Sequence, residues 1–312
     1  MDEPLPVEPM LATTADSTVD GPEWVFEPKL DGIRLLAARD GGRVRLLTRN
    51  GKDHSERYPE LVDALGSQPH DRFVADGEVV AFDGNLTSFQ RLQGRSGKRG
   101  DAARHSAVAV HLYLFDLVHL DGVDLRPSSL LDRKERLRSS FAFTDPLRYC
   151  THSTGKGPEL LDHACAAGWE GLMAKRVDRP YRGGRSTAWL KLKCVADQEL
   201  VIGGFTDPRG SRSRFGSLLV GHHDDEGLRF AGRVGTGFDQ QTLDRLGDLL
   251  AAREQPESPF VDPPTGRDLH WVRPDLVCQV GFTEWTTSGR LRHPRFLGLR
   301  DDKAPSEVRR ER

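Results

Sequence analysis

From Glu23 onward short apolar runs alternate with turn residues, a period that suits strands better than long helices. WVFEPKLDGIRLLAARDGGRVRLLTRNG places apolar and polar residues alternately around an Asp-Gly-Gly turn and predicts a hairpin. RYPELVDAL predicts a short helix, FVADGEVVAFDG a strand, LTSFQRLQGR a helical segment and AVHLYLFDLVHL a buried strand. GPELLDHACAAG predicts a helix closed by Gly168, and EGLMAKRV and AWLKLK predict strands. After Ala196 come strand patterns in QELVIGGF, GSLLVGHH, LRFAGRVG and DLVCQVGF. Among them lies one helix, DQQTLDRLGDLLAAR, with Leu243, Leu246, Leu249 and Leu250 on a single stripe. The change of pattern predicts two domains, 1–195 and 196–312, the second a small barrel of the OB-fold kind. HHDDEG reads as a polar hairpin turn, GRSGKRGD and PRGSRSRFG as mobile loops, and the tail after Pro305 as frayed.

Composition narrows the class without naming a function. At 312 residues, 37% hydrophobic and 29% charged, the chain suits a soluble globular protein with two cores. A net charge of −2 does not mark a nucleic-acid binder, so any such surface must gather its positive charge locally. Cys150, Cys165, Cys194 and Cys278 form no Cys-x-x-Cys pair. Neither a zinc site nor a disulfide framework is therefore expected, and a reducing compartment fits. The opening MDEPLPVEPM is unlike a signal peptide, and no apolar run approaches the ~20 residues of a membrane span. The expectation is a cytoplasmic monomer with no membrane association.

The positive charges are mostly arginine: only 9 of the 45 Lys and Arg residues are lysine. Arginine keeps its proton in proteins, whereas a lysine amine can be freed to act as a nucleophile. Five of the nine lysines, Lys29, Lys175, Lys191, Lys193 and Lys303, fall in stretches that look chemical on other grounds. In EPKLDGIR, Lys29 stands near Glu27 and Arg34, as a nucleophile beside a phosphate-holding cation would; taken alone, it reads first as a surface lysine in a hairpin. In WLKLK, Lys191 and Lys193 share one face of a strand, and an anion between them would relieve their repulsion. Glu78 and Glu170 stand at strand entries, where they are solvated turn residues or hard oxygen ligands for magnesium or manganese. Phe115 is either core packing or a face on which a base stacks. His222 and His223 are adjacent in a strand and cannot share an ion easily. A Walker-type phosphate loop, a serine-hydrolase elbow and a dinucleotide-binding glycine loop are all absent.

Taken in order, these stretches resemble the covalent nucleotidyltransferases, and within them the ATP-dependent DNA ligases. EPKLDGIR resembles their first motif (Lys-x-Asp-Gly-x-Arg), and TRNGKD, DGEVVAFD, LYLFDL, EGLMAKR and WLKLK follow in the family's order. FLGLRDDK, with Arg300 and Lys303, resembles the closing motif. The likeness is greatest to short bacterial ligases and to the ligase domain of bacterial end-joining ligase D. It implies an α+β fold: a nucleotidyltransferase (ATP-grasp-like ligase) domain of antiparallel sheets with flanking helices, then an OB-fold β-barrel.

The resemblance also implies a reaction in which Lys29 forms a lysyl-adenylate from ATP, passes AMP to a 5′-phosphate at a nick and lets the 3′-hydroxyl displace it. By the same likeness, Phe115 stacks on adenine, and Arg34 and Arg49 contact ribose or the nick phosphate. Glu27 and Lys175 belong to the nucleotide pocket, Lys191 and Lys193 neutralise the α-phosphate region, and Arg300 and Lys303 orient pyrophosphate. Glu78 holds ribose or assists the metal, and Glu170 is the main ligand of Mg2+ or Mn2+. Nicked duplex DNA is the implied partner, alongside DNA-repair or end-joining proteins. Long ligases carry a helical DNA-binding domain before the first motif, whereas 28 residues precede Lys29 here. The loops GRSGKRG and PRGSRSRFG, or a partner, are therefore expected to supply the grip on DNA. The competing readings are an RNA ligase, a GTP-using capping enzyme, and a non-catalytic OB-fold nucleic-acid-binding protein.

Overall fold

The predicted hairpin forms between Ile33–Asp40 and Arg43–Thr48, with Gly41 at φ +58° supplying the left-handed turn residue. It belongs to the first of two units, Met1–Cys194 and Val195–Arg312. The computed structural model describes residues 7–15, 19–95, 97–194, 196–208 and 213–311.

The first unit pairs two sheets. One has the order Met10–Thr14, Gly184–Lys193, Gly171–Arg176, Trp24–Pro28. The other runs Leu147–Tyr149, His111–Leu120, Arg72–Val80, Ile33–Asp40, Arg43–Thr48. The expectation of antiparallel sheets needs correction at two edges. Met10–Thr14 runs parallel to Gly184–Lys193, and Leu147–Tyr149 runs parallel to His111–Leu120. In the first pair a long crossover brings an early segment to a late strand, as parallel pairing requires.

Each sheet buries one face under helices. Phe26, Leu172, Ala174 and Leu192 pack beneath Leu160, Leu161 and Ala164 of the helix Gly157–Ala166. Leu35, Leu46, Val79, Leu112 and Leu114 pack with Leu61 and Leu65 of the helix Pro59–Gly66. A third cluster joins Met10, Ala12 and Trp189 of the first sheet to Ala38, Val74, Phe115 and Val118 of the second. The two sheets therefore face each other, and their facing surfaces are where polar groups collect. The helix Leu130–Ser140, begun by Ser129 accepting from Asp132 N, sends Arg133 and Lys134 into this interior.

In the second unit the sheet order is Leu228–Val234, Leu218–His223, Ala196–Thr206, Leu269–Phe282, Glu254–Gln255, with Arg295–Arg300 also on Leu269–Phe282. Leu243, Leu246 and Leu250 of the helix Gln240–Ala251 enter its core, as the stripe predicted. The unit is OB-like, but the pairings among the described residues leave the sheet open instead of closing the expected barrel. Asp224–Gly227 form the polar turn foreseen in HHDDEG.

Two further expectations are corrected. Cys165 and Cys194 are joined by a disulfide, their Cα atoms 5.3 Å apart, because the end of the helix Gly157–Ala166 meets the end of the strand Gly184–Lys193. The segment after Pro305 is anchored: Val308 is fully buried and Arg309 bridges to His223. Among the described residues no helix is long and apolar enough to cross a membrane.

Candidate active site

Lys29 follows directly on the strand Trp24–Pro28, where Pro28 cannot donate to the ladder. Its backbone N–H reaches Gly171 O at 3.0 Å, so the residue stays fixed to the neighbouring strand. Gly171 stands at φ +147°, and a Cβ there would meet Leu192 O at 2.0 Å. Only glycine allows the three chain segments this approach. The rest of KLDG has equally local reasons. Asp31 accepts from Phe89 N at 2.8 Å, and its own N–H donates to Thr87 Oγ1 at 3.1 Å. A Cβ on Gly32 would lie 2.2 Å from Val79 O.

This anchoring aims the Lys29 side chain at Glu170. Its ammonium donates to Glu170 Oε1. Glu170 Oε2 is buried and has no hydrogen-bond partner. The pair borders a cavity of about 200 Å³ lined by Pro28, Lys29, Phe82, Tyr113, Trp169 and Glu170, among others. The rings of this cavity are thus Phe82, Tyr113 and Trp169. Phe115 lies elsewhere, in the cluster between the sheets, packed edge-on against Trp189 at 5.9 Å.

Glu27 is enclosed just before the nucleophile candidate. Lys134 lies 2.5 Å from one carboxylate oxygen and Lys175 2.6 Å from the other. Lys175 Nζ also stands 4.2 Å from the Phe115 ring centre and 4.1 Å from that of Trp189. Burial pushes the Glu27 pKa up, but the two ammonium groups outweigh it and hold the carboxyl below its ordinary range. Lys134 is the mirror case: burial opposes its charge and Glu27 restores it, leaving its pKa raised.

Arg34 is similarly committed. Its guanidinium makes a fork to Asp76 at 2.9 and 2.5 Å, and Tyr181 donates to the same carboxylate at 2.6 Å. Burial works against that charge, while Asp76 more than offsets it and raises the pKa. Glu78 sits directly across the sheet from both Arg34 and Tyr113, on the face toward the first sheet. Arg49 lies in the turn after Arg43–Thr48 and is not among the residues lining the cavity.

Lys191 and Lys193 pair in register with Met173 and Gly171, and Met173 pairs with Glu27. With Lys175 two residues beyond Met173, all four charges fall on one sheet face. In the second unit Arg300 pairs with Asp302 at 2.9 and 2.7 Å, and Lys303 with Glu199 at 2.9 Å. Sequence reasoning passed over Asp76, Lys134, Tyr181 and Trp189, which fix the predicted residues in place. YRGGRSTAWLK carried a signal for two of them: a tyrosine and a tryptophan bracketing glycines beside a recognised lysine strand.

Residues 9–193 match the family model of the ATP dependent DNA ligase domain. The chain belongs to the ATP-dependent DNA ligase family. Residues 211–303 match the family model of the ATP dependent DNA ligase C terminal region. It is 39% identical over 99% of its length to the multifunctional non-homologous end joining protein LigD of Pseudomonas aeruginosa. To LigD of Mycobacterium bovis it is 41% identical over 97% of its length. The chain spans 37% and 40% of the length of those two relatives. Among solved structures, mycobacterial DNA ligase D complexed with ATP and MES matches at a TM-score of 0.69 and 36% identity, covering 97% of this chain and 98% of that one. The ligase domain of M. tuberculosis LigD matches at 0.51 and 39% identity, with the same coverage. The motif resemblance read from the sequence therefore stands.

Proposed function

We propose that this chain seals 5′-phosphate/3′-hydroxyl nicks in duplex DNA through an adenylate carried on Lys29. The observation that carries the reading is the Lys29 amine, anchored at a cavity mouth against a carboxylate with one unsatisfied oxygen. Lys29 Nζ attacks the α-phosphorus of ATP, a nitrogen–phosphorus bond forms, and pyrophosphate leaves. The 5′-phosphate oxygen at the nick then takes AMP from the lysine. The 3′-hydroxyl closes the phosphodiester and releases AMP.

Glu170 decides when the amine can react. Paired to Lys29 it favours the ammonium; once its charge is engaged elsewhere, the nearby Lys191 and Lys193 favour the neutral form. Glu170 Oε2 fits a divalent cation: among the described residues no group of three or more His, Cys, Asp or Glu could hold a metal ion, so phosphate oxygens would complete the shell. Such an ion would neutralise charge building on the α-phosphate. Glu78, opposite Arg34, is placed to meet the ribose or that ion. Arg34, Glu27 and Lys175 support the pocket walls, since their charges are already paired inside the fold. The family resemblance supports a role for Arg300 and Lys303 on the leaving pyrophosphate, which requires their release from Asp302 and Glu199.

The likeness to LigD proteins supports a place in non-homologous end joining. Sealing assays on nicked DNA and nicked RNA, each with ATP and with GTP, test the reading. Joined DNA with ATP is the expected product. Joining confined to RNA, or to GTP, would replace it.

A further inference from the structure

In the loops that the sequence offered for gripping DNA, most of the described cations have partners within the fold. Arg95 is buried and pairs with Glu60 at 2.7 Å. Lys98 donates to Ser106, and Arg99 lies 3.8 Å from Glu56. Arg214 bridges Asp244 and Asp248. Ser96 and residues 209–212 of those loops lie outside the described residues.

Another surface keeps its charge. Arg176, Arg179 and Arg182, with Trp24, Ser186 and Thr187, line an open hollow of about 500 Å³. Among the described residues Asp178 is the acid paired with two of these arginines, 3.2 Å from Arg176 and 3.6 Å from Arg179. Two of these guanidinium groups share the Asp178 carboxylate and Arg182 stands outside that pairing, so these four side chains together carry a surplus of positive charge in a chain whose net charge is −2. Two hydroxyls beside them add neutral donors, and the Arg176 guanidinium lies 5.5 Å from the Trp24 ring centre. Fork-shaped donors with hydroxyls in one hollow are the composition that phosphate recognition uses.

Register places the hollow relative to the chemistry. Arg176 pairs directly with Trp24, at the far end of the strand that leads to Lys29. At ~3.3 Å per residue, the five residues from Trp24 to Lys29 span about 17 Å. Arg176 also alternates with the inward-facing Lys175, so its side chain takes the sheet face opposite to that of Lys175. The triphosphate of a nucleotide seated at Lys29 cannot reach it. An extended polyanion can, and phosphates along one DNA strand repeat every ~3.4 Å of helix axis.

We propose that this hollow holds the phosphodiester backbone of the substrate duplex about five nucleotides from the nick. The inference rests on the reading of the chain as a DNA ligase. Its test uses the full chain and a fluorescent nicked duplex, with affinity measured across a salt series. Arg179→Ala/Arg182→Ala alters two exposed side chains remote from Lys29. It should weaken binding roughly 5- to 50-fold at moderate salt and make the plot of log affinity against log salt shallower by about 1 to 2, since each neutralised phosphate contributes ~0.9. Self-adenylation should stay at the wild-type level, and Arg179→Lys/Arg182→Lys should restore most of the affinity. Unchanged affinity and salt slope in the alanine variant, with wild-type protein sealing normally, would overturn the inference alone. Wild-type protein that neither seals nor adenylates would overturn the ligase reading, and the inference with it.

Discussion

Glu170 gives one carboxylate oxygen to the ammonium of Lys29 and leaves the other buried with no hydrogen-bond partner. A buried acceptor without a donor costs on the order of 1–3 kcal/mol, so its persistence beside a reactive amine marks a place for a ligand. Glu170→Gln keeps the shape and removes the charge. Adenylation should fall about 10²- to 10³-fold, the range for losing one well-placed electrostatic group. The divalent-cation concentration for half-maximal labelling should also rise. Wild-type labelling at ordinary magnesium would remove Glu170 from the mechanism.

Arg133 and Asp116 form an ion pair with no exposed side-chain surface, and Arg133 also donates to the carbonyls of Ser128 and Arg179. Arg133→Met strands a buried carboxylate and should cost about 3–5 kcal/mol in urea unfolding. Arg133→Met/Asp116→Asn should recover part of that loss, because no charge is then left alone. A double variant no more stable than the single one would mean that packing dominates over charge at this site.

The acid limb of stability should report on Glu27. Its folded pKa is depressed, so the unfolded chain takes up this proton at higher pH than the folded one. The resulting stabilisation is present above about 4.5 and fades as pH falls from there toward the folded value. Glu27→Gln should be less stable at pH 7 by about 3–5 kcal/mol, having left two buried lysines short of their partner. Below pH 4.5 its stability should fall less steeply than that of the wild type. Parallel acid limbs in the two proteins would show that Glu27 is not the group responsible.

The cysteines divide into two classes. Cys150 is buried, and desolvation pushes its thiol up to about 12; Cys278 is raised for the same reason. Native protein without reductant should therefore give almost no reaction with a thiol reagent, and reduction should expose Cys165 and Cys194. Their loop has a sequence separation of 29, for which chain entropy gives about 3–4 kcal/mol of stabilisation. A melting temperature unmoved by reductant would show that the bridge does not constrain the unfolded chain.

Much of this molecule could be read from local pattern. Asp40-Gly41-Gly42 announced its hairpin, and Leu243, Leu246 and Leu250 announced the buried face of their helix. Lys29 and Glu170 could be named because their neighbours Asp31, Gly32 and Gly171 have steric duties that leave a fixed spelling. What escaped was whatever depends on distant partners. Nothing local in LLDRKERLRSS marks Arg133 and Lys134 for burial, yet both are buried because Asp116 and Glu27 await them. MLATT follows prolines and gives no hint that Gly184–Lys193 will receive it as a parallel edge. Phe115, expected as a base platform, packs in the cluster between the sheets, and the rings lining the cavity beside Lys29 are those of Phe82, Tyr113 and Trp169. Strand alternation fixes which face a ring takes, but not which ring borders a cavity.

The account stands on a nitrogen–phosphorus bond at residue 29. Protein shown to be free of bound AMP would be incubated with ATP labelled on its α-phosphate and with magnesium, denatured, and mapped by peptide. Label that survives denaturation, maps to the peptide holding Lys29 and disappears in Lys29→Ala is the predicted result. Absence of label on the wild-type chain, or label persisting on a folded Lys29→Ala variant, would contradict it.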